Sequence, residues 1–118
     1  MNALLVFIGG GLGAVLRYGI GKWMSSIAVA FPLGTLLSNV LAAFLLAIVV
    51  FVQMPKQSWW TLLLVTGFCG GLSTFSTFSY ESVLLWRNGQ YAWLLANIAL
   101  NLLVCIGAIA AIAQMRIK

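Results

Sequence analysis

Residues Gly70 to Ser79 read GGLSTFSTFS, which sets five hydroxyl side chains and two phenylalanines within ten positions of a chain that is otherwise strongly apolar. Phe75 and Phe78 are three apart, so on a helix they share a face, with Ser76, Thr77 and Ser79 beside them. The edge of a phenyl ring carries positive partial charge, and a hydroxyl donates a hydrogen bond. Either phenylalanine alone would read as lipid-facing filler; the combination makes a surface suited to a small dehydrated anion. Gly67, Gly70 and Gly71 immediately precede the run, and glycine tolerates departures from helical geometry. A helix interrupted there leaves backbone carbonyls without donors at a depth where lipid offers none, and a bound cation would satisfy them.

Other polar residues stand singly in apolar surroundings. Asn39 lies near the start of one apolar run, and Asn97 and Asn101 are four apart on one face of another. Each asparagine reads equally well as a hydrogen bond between helices or as part of the wall of an ion path, because its amide offers donors and acceptors without charge. Arg17, late in the first apolar run, either snorkels to the interface or faces a vestibule where it concentrates anions. Glu81 is the sole carboxylate. Its position is compatible with an ion pair, a helix cap or a transport pathway. Gly9, Gly11 and Ala14 match the letters of the G-x-G-x-x-G/A dinucleotide fingerprint, but no acidic residue follows about 20 positions on and the run is itself apolar. Gly9 with Gly13, and Gly67 with Gly71, are instead pairs of small residues four apart, the spacing that lets helix backbones approach closely in lipid.

These groups must be positioned by membrane helices. Of 118 residues, 64% are hydrophobic and 6% charged, with a mean hydropathy of +1.13. A transmembrane helix takes about 20 residues, so the chain has room for about four spans and no soluble domain. We place them at residues 3–20, 33–52, 59–86 and 92–113, one four-helix transmembrane domain of an all-α membrane protein. Pro32, Met54-Pro55-Lys56 and Arg87-Asn88-Gly89 mark the connections, and Trp23, Trp59, Trp60, Trp86 and Trp93 fall near span ends, as interfacial aromatics do. The third span is too long: its 28 residues (59 to 86) would make a helix of about 42 Å, against a hydrocarbon core of about 30 Å. A break at the glycines, in mid-membrane, resolves the mismatch.

The same composition excludes several classes. With no histidine, one carboxylate and two cysteines, Cys69 and Cys105, each in an apolar run, one chain assembles no metal cluster, acid–base pair or catalytic triad, and the protein reads as a non-enzyme. The N-terminus lacks a basic leader region, so the chain is taken as mature from Met1. The net charge of +5 comes from basic residues scattered singly at span ends, which assigns them to lipid headgroups and not to nucleic acid. Lys56, Arg116 and Lys118 fall on one side of a four-span array, and Arg17, Lys22 and Arg87 toward the other, three against three. Because Lys/Arg bias sets orientation, this chain has little reason to prefer one. Mixed insertion would permit an antiparallel two-fold homodimer, which reproduces between chains the inverted repeats that many transporters carry within one.

Three motifs carry a family resemblance: GLGAVLRY at residues 11–18, PLGTLLSN at residues 32–39 and GFCGGLSTFSTFS at residues 67–79. In order and spacing, over nearly the whole chain, they resemble the bacterial fluoride channels called Fluc or CrcB. The resemblance implies a passive fluoride exporter of the bacterial inner membrane, a multi-pass protein built as an antiparallel dual-topology homodimer with two pores and a structural sodium ion at its centre. It implies that Phe75 and Phe78 line the pores, that Asn39 guides or coordinates fluoride, that Ser76 and Thr77 donate along the track, and that Arg17 lies by the vestibule. It also implies that the backbone carbonyls of Gly70 and Ser73 hold the sodium. The family commonly has Thr where this chain has Ser73, a change that leaves a carbonyl ligand intact. Asn97 and Asn101 fall where the family places polar groups.

A pore for so strongly hydrated an ion must replace its water with donors at close range, yet bind weakly enough to release it. Alternating phenyl edges and hydroxyls meet both demands, and without a nucleotide motif the conduction is expected to be passive. The principal rival is a small multidrug or proton-coupled four-span transporter, which needs a carboxylate deep in the membrane; here the single acid comes late in the third span. A non-transporting subunit of a larger complex would leave the hydroxyl run and the charge balance unexplained.

Overall fold

Long apolar runs produce long helices. The computed structural model describes residues 1–53 and 58–117 and contains α1 (Asn2–Ser25), α2 (Leu33–Ile48), α3 (Gly70–Leu72), α4 (Phe75–Arg87) and α5 (Tyr91–Ile117). α2 continues into wider π-type turns over Val49–Gln53, and a π-type segment, Thr61–Cys69, leads directly into α3. Among the described residues there is no strand. Four stretches, Asn2–Ser25, Leu33–Val52, Thr61–Arg87 and Tyr91–Arg116, are long and apolar enough to cross a membrane. Lys56, with the turn expected at Met54-Pro55-Lys56, and Lys118 lie outside the described residues.

The ends of these helices follow from local chemistry. α1 runs past its expected end at Ile20 because Gly21–Ser25, though more polar, stays helical; the Ser25 and Ser26 hydroxyls then donate to the Lys22 and Trp23 carbonyls at 2.7 and 2.6 Å. Those carbonyls would otherwise end the helix without donors. Pro32 caps α2 at its start, where its missing N–H costs nothing. α4 closes with Gly89 in the left-handed region at φ 71. The Gly89 amide donates to Trp86 O at 3.0 Å and the Gln90 amide to Leu85 O at 2.9 Å, the paired bonds of a Schellman motif, and the chain turns at once into α5.

α1 lies along Thr61–Cys69 and α3, while α2 packs on α5 and α4 on α5. The first contact is made by glycines: a side chain added at Gly67 would sit 3.0 Å from Gly9 Cα, and one at Gly71 would strike the Gly10 backbone. This is the close approach that small residues four apart allow in lipid. Ile20, Ala42, Cys69 and Leu72 form the buried centre. Outward faces carry Phe7, Val15, Leu95 and Leu103 in the open, apolar surface that suits contact with acyl chains.

Within the third span the helical path leaves its track at two residues. Ser73 (φ −76, ψ 153) and Thr74 (φ −152, ψ 117) are extended, and α4 begins at Phe75. The glycines thought to permit this are not where it happens. Gly70 is itself helical at φ −63, ψ −36, and Gly67 and Gly71 serve the close packing against α1.

Candidate functional site

The polar groups collect around Ser73 and Thr74. Thr74 caps α4: its hydroxyl accepts the Thr77 amide at 3.2 Å, satisfying one of the orphan donors of a helix start. Its own amide donates to Asn39 Oδ1 at 2.8 Å. On the other side of the interruption, Arg17 Nε donates to Gly71 O at 3.0 Å, supplying a donor where the last turn of a helix lacks one. An arginine of α1 and an asparagine of α2 thus hold the two sides of one irregular segment.

This arrangement frees two carbonyls. The amide four residues after Gly70 is that of Thr74, which is given to Asn39; the amide three residues after is that of Ser73, which bonds Cys69 O at 2.9 Å. The amide four residues after Ser73 is that of Thr77, which is given to the Thr74 hydroxyl. Gly70 and Ser73 therefore lose their usual helical donors to other acceptors, and carbonyl oxygens in that condition are what a hard cation such as sodium requires. The two carbonyls would supply part of the oxygen ligand set of the cation that the family resemblance implies.

Two cavities flank the segment, and Thr74 is common to both. The first, about 820 Å³, is walled by Arg17, Lys22, Thr35, Thr77 and Glu81 among others. Two cations face a single carboxylate there, so the cavity favours anions. Glu81 Oε1 accepts the Thr35 hydroxyl at 2.7 Å; the carboxylate is thus tied to α2. The second, about 540 Å³, is walled by Asn39, Gly70, Ser73, Phe75, Phe78 and Asn101 with apolar neighbours. Phe75 stands 77% exposed, and its ring centroid is 5.7 Å from that of Phe78 at an interplanar angle of 44°.

The residues singled out from the sequence therefore divide. Asn39, Gly70, Ser73, Phe75, Phe78 and Asn101 meet at the second cavity, and Arg17 and Thr77 at the first. Ser76 is exposed and lines neither, and Asn97 is fully buried and lines neither. The five hydroxyls also differ. Ser73 and Ser79 donate back to the carbonyls of Cys69 and Phe75, four residues earlier, at 2.9 Å each, a local bond that serine commonly makes to the backbone. Thr74 donates to Thr77 Oγ1 at 3.0 Å, so Thr77 keeps its own proton for the cavity it faces. Sequence reasoning passed over Thr74, Thr35 and Ser82. The signal for Thr74 was present, a threonine directly before a helical run; Thr35 and Ser82 gave none, since their roles depend on partners 46 and 15 positions away.

Four apolar spans, with polar groups gathered around an irregular segment of the third, define a small all-α integral membrane protein with an anion-favouring cavity. Within that class, the chain belongs to the CrcB family: the family described as CrcB-like protein, Camphor Resistance (CrcB), matches residues 4–113. Similar proteins include one from Serratia proteamaculans (strain 568), 51% identical over 104 residues that cover 86% of this chain and 82% of the relative. Another, from Pyrococcus abyssi (strain GE5 / Orsay), is 49% identical over 108 residues, 89% of this chain and 87% of the relative. A third, from Enterobacter sp. (strain 638), is 48% identical over 103 residues, 85% and 81%. Each of the three bears the name Fluoride-specific ion channel FluC.

Proposed function

We propose that this protein is a fluoride-specific channel, and not an enzyme, that lets fluoride leave the cytoplasm passively across the bacterial inner (plasma) membrane. The observation that carries the reading is identity near one half to relatives of that name along more than four-fifths of both chains. The site agrees with it in kind. Fluoride enters from the cavity of Arg17 and Lys22, meets the Thr77 hydroxyl, and passes the edges of Phe75 and Phe78, with Asn39 and Asn101 in the wall. Each contact replaces part of the ion's hydration without a fixed charge strong enough to trap it.

The channel works as an antiparallel homodimer of mixed topology, with the interruption at Ser73 and Thr74 in mid-membrane. Two copies bring together the freed carbonyls of Gly70 and Ser73, which would hold a structural sodium ion; that ion, when bound, supplies positive charge beside the anion path. Labelling of single-cysteine variants from each side of the membrane is expected to find both orientations in comparable amounts. A single orientation would refute the dual topology.

Cells deprived of their own fluoride export test the function in vivo. Expression of this chain is expected to restore growth in fluoride at acidic pH, where HF enters, and to leave tolerance of chloride unchanged. Growth no better than with an empty vector, at proven membrane expression, would count against the reading.

A further inference from the structure

Side-chain amides connect the two phenylalanines by a route that begins in the wall of the proposed ion path and continues behind it. It starts at the Thr74 amide, directly before Phe75, which donates to Asn39 Oδ1 at 2.8 Å. Asn39 Nδ2 donates to Asn101 Oδ1 at 2.9 Å, and also reaches Thr74 O at 3.5 Å. Asn101 Nδ2 donates to Asn97 Oδ1 and Asn97 O, both at 2.9 Å. Asn97 Nδ2 donates to Ser82 Oγ at 3.0 Å, and Ser82 Oγ donates to Phe78 O at 2.8 Å. The short bonds, of 2.8 to 3.0 Å, all run from the residue before Phe75 to the carbonyl of Phe78, by way of α2 and α5; only the 3.5 Å contact of Asn39 turns back to Thr74.

We propose that Asn39, Asn101, Asn97 and Ser82 form a hydrogen-bond relay that fixes Phe75 and Phe78 in place, in which Asn97 and Ser82, which line neither cavity, are positioning residues. Donor arithmetic supports this. A side-chain amide can meet an anion only through its N–H groups, of which it has two. Both N–H groups of Asn101 are engaged on Asn97 at 2.9 Å, whereas Asn39 donates one short bond, to Asn101, and has only a 3.5 Å contact with Thr74 O for its second N–H. Asn97 is 0% exposed, beyond reach of either cavity. A relay of aligned dipoles strengthens link by link and admits little slack, and each amide in it has one orientation, since turning any of them sets donor against donor. Asn97, which lines neither cavity, is thereby as necessary as Asn39, which borders one.

The inference rests on the fluoride reading for its flux readout, and a second readout stands apart from it. Full-length wild type, Asn97→Ala, Ser82→Ala and Ser82→Thr are compared in liposomes for fluoride and chloride efflux, and in detergent for hydrogen–deuterium exchange at the Thr74 amide. Asn97→Ala is expected to slow fluoride about tenfold, the effect of removing one buried hydrogen-bond partner, to lower the fluoride-to-chloride ratio, and to speed exchange at Thr74. Ser82→Ala, which keeps the asparagines and tests the relay if Asn97→Ala does not fold, should move all three readouts the same way by less; Ser82→Thr, which restores the hydroxyl, should match wild type. Assembled Asn97→Ala or Ser82→Ala protein with wild-type selectivity and wild-type Thr74 exchange overturns the relay, even if flux falls. Were wild type itself not to conduct fluoride, the channel reading would fail, and exchange at Thr74 would decide the relay alone.

Discussion

Phe78→Ile is expected to reduce fluoride efflux by about 100-fold or more while the protein still assembles; at about 1.4 kcal/mol per decade this adds about 2.7 kcal/mol to the barrier. Isoleucine fills much of the same volume and is equally apolar, so the packing of α4 on α5 has little reason to change. What it lacks is the ring quadrupole. Phe78 lines the cavity that Phe75, Asn39 and Asn101 also line, and the two rings are tilted 44° to each other. A ring edge is a weak, diffuse positive surface, enough to compensate an ion that has shed water and too little to hold it. Efflux from reconstituted Phe78→Ile, scaled to protein that elutes as the wild-type assembly, measures the effect. Flux within twofold of wild type would remove the phenyl edges from the mechanism.

Gly71→Ala should have the larger effect on folding. An added Cβ there would lie 2.9 Å from Gly10 C and 3.0 Å from Gly10 Cα, and nearer still to the Gly10 carbonyl oxygen. Backbone cannot rotate out of the way as a side chain can, so α1 must separate from α3. Overpacking of this kind costs about 1–3 kcal/mol, and the displacement also strains the bond from Arg17 Nε to Gly71 O. Gly71→Ala is therefore expected to melt at a lower temperature in detergent and to lose much of its assembled fraction. Gly19→Ala is the control, because nothing lies within 4 Å of a Cβ at Gly19 and alanine is the better helix former. Equal melting of the two variants would show that the glycine seam does not set the packing distance.

These cases show why some of the architecture is legible in the chain and some is not. Spans are readable because the requirement is one of length and polarity, met by runs such as Leu33–Val52 and punctuated by Pro32 and Gly89. The end of α1 was read too early because its last turn is polar; a helix outlasts its apolar run when hydroxyls such as those of Ser25 and Ser26 take over its carbonyls. The glycines of the third span point to irregular backbone near them, and the extended residues are Ser73 and Thr74, just beyond Gly71. In sequence, a glycine that permits a bend and one that permits a close neighbour look alike; only α1, lying against Gly67 and Gly71, distinguishes them. The π-type winding of Thr61–Cys69 has no residue signature, since it changes which carbonyl each amide meets and not which residues are used. The relay is hidden for a related reason. Asn39 and Asn101 are 62 positions apart, and the direction of an amide is a property of the assembled fold.

The central claim is fluoride-selective passive conduction, and it is tested most directly with purified full-length protein in liposomes loaded with equal potassium fluoride and potassium chloride, with valinomycin added so that potassium balances the charge, both anions followed by electrodes and no nucleotide or proton gradient supplied. The account predicts rapid fluoride efflux, with chloride retained until detergent releases it. Absence of fluoride efflux from demonstrably assembled protein, or chloride leaving as fast as fluoride, would contradict it.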